Sequence, residues 1–272
     1  MVFRTDHAQV NGIVIVAHGL NTAPSRMGSP EADGTIVKAL LDGGYHVVRA
    51  AFTGHRGVIE EMRSVTTAAW LDDAHDCVLA ARAEAERVEA AAQSRCPLYL
   101  VGFSLGALVF EVLMNEEKMP VVFDKAVLFS PAFAIKGITR GVLLLGAMPG
   151  AHRGDGRIVK SAGPAEYRAN TGASIAAYKA LFALEKQLKA LSFAKNNIPT
   201  LIFIDPRDEL ISYNKLKKLI KKMSLRNWTL QKVSNKGSRT RLARHHLIID
   251  DHCLSKESWE TVRRAMLKFL AE

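Results

Sequence analysis

The chain has 272 residues, 48% hydrophobic and 24% charged, with 19 Gly, 9 Pro and a formal net charge of +10. This is the make-up of an ordinary globular protein, long enough for one large domain or two smaller ones, and it excludes collagen-like and low-complexity polypeptides. It also excludes a membrane-spanning helix, since no apolar run reaches about 18 residues, and Cys77, Cys96 and Cys253 are too scattered for a disulfide framework or a zinc site.

Residues 1–8 lack a basic segment followed by an apolar core, so no secretory signal is expected and a reducing, cytoplasmic location is the simplest expectation. Apolar runs of strand length then recur. Residues 12–17 form the first, 45–50 the second and 98–103 the third, followed by 126–130, 200–204 and 228–233. Near-continuous apolar strands alternating with helical patterns predict an α/β protein: a mostly parallel sheet with helices on both faces. The helices are expected at 31–42, 68–93, 105–115, 212–223 and 257–270, the second being rich in the strong helix former Ala.

Residues 134–198 break this rhythm, because they are far more than one crossover needs. They hold an apolar run at 142–148, a polar section at 152–156 and a helical pattern at 174–191. We expect a cap or lid inserted between core segments 1–133 and 199–272; the alternative is a long packing excursion.

The third strand leads into Gly102-Phe103-Ser104-Leu105-Gly106, and a helical pattern follows at once. A strand entering a helix through so sharp a bend forces its central residue into a strained backbone and leaves no room for side chains two positions either side. The bend lifts the Ser104 hydroxyl off the sheet, beside the positive end of the following helix. The other reading of this pentapeptide is a tight turn in which serine merely caps the helix.

A serine hydroxyl barely ionises near neutral pH, so a nucleophile needs a base and the base needs an orienting acid. After the strand at 200–204 comes Asp205-Pro206-Arg207-Asp208-Glu209, a loop at the carboxyl end of a strand, where catalytic groups of open α/β sheets gather. Asp208 is the candidate acid, with Asp205 and Glu209 as competitors. His245 and His246 are the candidate bases; adjacent residues cannot share one orientation, and His246 is preferred because it directly precedes the apolar run 247–249. Attack on a carbonyl also needs N–H donors for the developing oxyanion. The amide of Leu105, just after Ser104, is one; His18-Gly19-Leu20, after the first strand, offers the amide of Leu20 as the second.

These residues resemble the α/β-hydrolase superfamily, in its branch of carboxylesterases and monoacylglycerol-lipase or lysophospholipase-like enzymes. The resemblance rests on His18-Gly19-Leu20, Gly54-His55-Arg56-Gly57, Trp70 with Asp73, the Gly102–Gly106 pentapeptide, Pro199 through Ile211, and His246. It spans nearly the whole chain apart from 134–198, where such enzymes carry variable caps. The chain departs from the pattern at Asp205, where relatives place a loop glycine, and at Ala107, where another glycine is common. The resemblance implies a three-layer α/β-hydrolase fold and a serine ester hydrolase without metal or organic cofactor. In it Ser104, Asp208 and His246 would form the catalytic triad, and the substrate would be a small-molecule or lipid ester.

The positive charge is local. Residues 214–244 hold eleven basic and no acidic residues, leaving the rest of the chain at −1. Such a stretch is suited to an anionic membrane surface or acidic substrates, or is a solvated helix face; nucleic acid is not expected, since Trp228 is its only aromatic residue. A non-catalytic binding protein on the same fold is the alternative to an enzyme. The sequence carries no signal for oligomeric state.

Overall fold

In the computed structural model, which describes residues 1–115, 123–147, 154–161, 163–191, 197–234 and 245–272, alternate strand residues enter two separate cores. Along β2 (Gly12–Ala17), Ile13, Ile15 and Ala17 face one core while Val14 and Val16 face the other. This two-residue alternation between two dry faces explains the unbroken apolar runs.

The other elements follow in chain order. A two-residue β1 (Val2–Phe3) precedes β2; then come α1 (Ile36–Asp42), β3 (Tyr45–Arg49), α2 (Ile59–Ser64), α3 (Thr67–Ala92), β4 (Leu98–Phe103), α4 (Leu105–Asn115) and β5 (Lys125–Phe129). A short antiparallel pair, β6 (Ile158–Lys160) and β7 (Gly172–Ser174), leads into α5 (Ile175–Ala190). The chain finishes with β8 (Thr200–Ile204), α6 (Tyr213–Lys222), β9 (Trp228–Lys232) and α7 (Lys256–Ala271).

Seven strands form one sheet in the order β1-β3-β2-β4-β5-β8-β9. Every neighbour pair is parallel except β1 on β3. Helices α1 and α7 cover one face, while α3, α4 and α5 pack on one another over the other. Among the described residues no helix is long and apolar enough to cross a membrane.

One expectation needs correction. Helix α1 starts at Ile36 rather than residue 31, because Gly34 adopts φ +72° and a side chain there would run into Asp251. The segment 134–198, expected as a cap, contains several elements. Its final helix, α5, buries Leu184 and Leu188 in the same core as α4 and turns Tyr178 and Leu181 to the cavity described below. The apolar run at 142–148 lies mostly in a 3₁₀ helix (Gly137–Ala147); Met148 and residues 152–153 of the polar section lie outside the described residues.

Parallel strands place all their carboxyl ends along one edge. Ala17 pairs with Gly102 and Phe103 with Phe129, so the residues that follow β2, β4 and β8 emerge side by side. That edge carries the site.

Candidate active site

Ser104 sits between β4 and α4 with φ +49°, a left-handed conformation that costs a non-glycine residue about 1 kcal/mol. Two tight contacts hold it there. A Cβ on Gly102 would lie 2.8 Å from the Ala107 Cα, and one on Gly106 would lie 2.7 Å from the carbonyl carbon of Ala17. The bend is therefore wedged between the backbone of α4 and the end of β2. The Ser104 amide donates to the carbonyl of Phe129 at 3.0 Å, and its own carbonyl accepts from Ala132 at 3.1 Å. All of α4 is buried, so this support cannot relax into solvent.

His246 Nε2 lies 3.0 Å from Ser104 Oγ, and His246 Nδ1 lies 2.9 Å from Asp208 Oδ2. The second oxygen of Asp208 accepts the amides of Leu210 and Ile211 at 2.7 and 2.8 Å. Asp208 is fully buried, and with its acceptors filled it keeps an oxygen aimed at the imidazole. The Phe103 ring packs against that imidazole at 5.1 Å between centroids.

The competing residues form a second pair beside the first. His245 Nδ1 meets Asp205 Oδ2 at 2.8 Å, and Asp205 also holds the amide and guanidinium of Arg207. Glu209 accepts the amides of both His245 and His246. Asp205, Asp208 and Glu209 thus grip the histidine-bearing loop at successive points. Asp205, at the position where the resemblance expects glycine, has become a clasp.

His18 and His55 stand in the 18–20 and 54–57 motifs, and neither carries a role that local pattern alone assigns. Both are buried, with ring centroids 4.7 Å apart. Burial, then the neighbouring His55, pushes the His18 pKa well below its ordinary value; burial pushes that of His55 down to about 4. Neutral His18 has one fixed tautomer. Its Nε2 accepts the amide of Phe52 at 3.2 Å, so its Nδ1–H donates to the carbonyl of Gly19 at 3.0 Å. That carbonyl shares a peptide plane with the Leu20 amide. The histidine therefore fixes the direction of the expected donor. No hydrogen bond from the Leu20 or Leu105 amide is found among the described residues.

Trp70 and Asp73 brace this arrangement from α3. Trp70 Nε1 donates to the Thr53 carbonyl at 3.1 Å, while Asp73 accepts the Thr53 amide at 2.6 Å and pairs with Arg56 at 2.8 Å. Distant motif residues are linked as support for one turn, which only tertiary contacts could reveal.

A cavity of about 310 Å³ opens above Ser104 and His246. Its walls are mainly apolar: Leu20, Ile135 and Ile211 come from the core, Tyr178 and Leu181 from α5. Tyr167 also lines it, its hydroxyl donating to buried Asp250 at 2.8 Å. Among the described residues no cluster of His, Cys, Asp and Glu could hold a metal ion. The expected basic stretch is present over α6 and β9; residues 235–244 lie outside the described residues.

Solved structures share this fold along nearly the whole chain. A metagenome-derived lipolytic enzyme is similar over 99% of this chain and 96% of its own, with TM-score 0.66 and 18% identity. The monoacylglycerol lipase of Paleococcus ferrophilus matches over 100% and 97% (TM-score 0.64, 16% identity). A soluble variant of Saccharomyces cerevisiae monoglyceride lipase, bound to a substrate analogue, matches over 99% and 90% (TM-score 0.67, 13% identity). No curated protein matches by sequence. The sequence profile described as serine aminopeptidase, S33, matches residues 8–237, taking in the bend at Ser104 and the acidic loop that meets His246. By that match and by its fold, the chain belongs to the serine aminopeptidase S33 family of α/β hydrolases.

Proposed function

We propose that the protein is a serine ester hydrolase acting on single-acyl-chain or similarly apolar carboxylic esters. The observation that carries this reading is the unbroken relay from Asp208 through His246 to Ser104, at 2.9 and 3.0 Å, beneath an apolar cavity. Ser104 Oγ attacks the ester carbonyl carbon while its proton passes to His246 Nε2. Asp208 holds the Nδ1–H and stabilises the imidazolium without taking its proton. Charge developing on the carbonyl oxygen is met by the amides of Leu20 and Leu105. The protonated imidazole then donates to the departing alcohol, and water activated by the same base releases the acid and restores Ser104.

The cavity, about 310 Å³, is at the lower end of the range for ligand pockets. That size and its apolar walls support one acyl chain more readily than a bulky polar substrate. An aminopeptidase would need an acidic group free to receive the substrate's terminal amine. Among the described residues Glu209 is the acidic residue lining the cavity, and its Oε2 is engaged by the amides of His245 and His246, which ties it to the histidine-bearing loop.

Two measurements test this reading together. A fluorophosphonate should label Ser104 in the folded protein, and p-nitrophenyl esters should turn over with a chain-length optimum. Ser104→Ala should abolish both. Labelling elsewhere, or aminoacyl anilides cleaved faster than esters, would overturn it.

A further inference from the structure

Helix α6 begins two residues after Ile211, which lines the cavity. It buries Leu216 and packs Leu219 and Ile220 against the core, while Lys215, Lys217, Lys218, Lys221 and Lys222 are all exposed. Arg226 extends the same exposed basic surface just beyond the helix. The lysine ion pairs of the described residues lie elsewhere, on Lys38, Lys179, Lys189 and Lys268. Lys217 and Lys221, like Lys218 and Lys222, stand four residues apart, a spacing at which like charges repel and weaken a helix. Lys221 and Lys222 gain from the helix dipole in the last turn, but Lys215, Lys217 and Lys218 have no such return. Such a face calls for an anionic partner outside the chain.

The surface beside it has a second character. The segment Ala134 to Lys136 is tied to the start of α6: the Lys136 amide donates to the Leu210 carbonyl and the Ser212 amide to the Ala134 carbonyl, at 2.8 and 2.9 Å. Just beyond that seam Ile138 is 86% exposed, and Leu210 is itself 37% exposed. Two large apolar side chains therefore stand in solvent at this edge, Leu210 in the cavity lining and Ile138 next to the lining residue Thr139, beside a cationic helix whose lysines have no ion pair among the described residues. An apolar group that enters the acyl region plus a basic surface that holds the headgroups is the combination that gives stable attachment to a bilayer.

We infer that α6 and the Ile138–Leu210 lip form an interfacial surface that seats the protein on an anionic phospholipid bilayer, bringing the cavity mouth to the membrane. Single-stranded nucleic acid fits the same charge less well, because its binding draws on exposed aromatic faces for base stacking. Here Trp228 is buried and Tyr213 lies half-buried beneath Lys232. The inference deepens the ester-hydrolase reading by naming where its substrate resides, and rests on that reading for the nature of the substrate alone.

Co-sedimentation of the full chain with phosphatidylcholine vesicles, with and without about 30% phosphatidylglycerol, tests it. Binding should require the anionic lipid and fall steeply with added salt. Each lysine near an anionic surface contributes about fivefold, so Lys217→Gln/Lys218→Gln/Lys221→Gln together should weaken binding about a hundredfold. The triple variant should still hydrolyse a soluble p-nitrophenyl ester normally, and Ser104→Ala should still bind vesicles. Those two arms separate failure of the membrane surface from failure of the hydrolase reading. Equal binding to neutral vesicles, no vesicle binding, an unaffected triple variant, or displacement of vesicles by a single-stranded oligonucleotide of matched charge would each overturn the inference.

Discussion

Gly106→Ala is the sharpest test of how the bend at Ser104 works, because two effects of known size predict opposite signs. Gly106 is the second residue of α4, and helix propensity alone favours alanine over glycine by about 1 kcal/mol. The added Cβ, however, would lie 2.7 Å from the carbonyl carbon, the carbonyl oxygen and the Cβ of Ala17. Ordinary contact requires close to 3.5 Å, so something must move by roughly 0.8 Å. Ala17 is fully buried and paired with Gly102 in the sheet, so it cannot retreat. Overpacking of this kind costs about 1–3 kcal/mol. The clash should at least cancel the propensity gain, with a net loss of up to about 2 kcal/mol. The movement falls on the turn that carries Ser104, whose hydroxyl has a 3.0 Å bond to keep with His246. A displacement on the order of 1 Å lowers the rate about a hundredfold. Urea unfolding and kcat/KM on a soluble ester read the two effects separately. A variant more stable than the parent, with kcat/KM within about threefold, would refute the claim that the glycine exists for backbone approach.

Asp208→Asn should leave the loop amides of Leu210 and Ile211 satisfied while removing the charge that fixes the His246 tautomer, lowering kcat by about 10⁴ with the unfolding midpoint little changed. Asp205→Gly, which restores the residue expected from the family pattern, should lower stability by roughly 3 kcal/mol by stripping buried His245 of its charged partner. His245→Gln should cost a similar amount and the double variant scarcely more; strictly additive losses would show that the two side chains act independently. In the unfolded chain His55 takes up a proton near pH 6.5, but in the folded protein only near pH 4. Stability is therefore lost as pH falls through that window, by roughly 3 kcal/mol from this group, and His18 acts in the same direction. Urea titrations between pH 7 and about 4 should show a weaker pH dependence for His55→Gln, and an unchanged slope would remove this account.

The sequence alone determined the elements whose side chains repeat with a clear period. The buried strands β2, β4 and β8 announce themselves as apolar runs because both faces of a parallel sheet are dry. The bend at Ser104 is likewise legible locally, as a strand, five residues and a helix, although contacts with Ala17 and Phe129 hold it in place. Sequence could not detect β1, since two residues carry no periodicity, nor assign α5 to the core, since amphipathic spacing does not say which surface a helix covers.

At the site the limit was distance along the chain. Adjacent His245 and His246, facing Asp205, Asp208 and Glu209 nearly forty residues away, left several pairings open in one dimension. Folding selects among them, because β8 delivers the acidic loop in a single register and each imidazole can meet only the carboxylate in front of it. The tautomer of His18 and its grip on the Gly19–Leu20 peptide were equally beyond local pattern. They depend on the Phe52 amide, which another strand brings into place. Residue spacing encodes which chemical groups are available; only the packed sheet decides which of them touch, because hydrogen bonds are chosen by ångströms in space rather than by position in sequence.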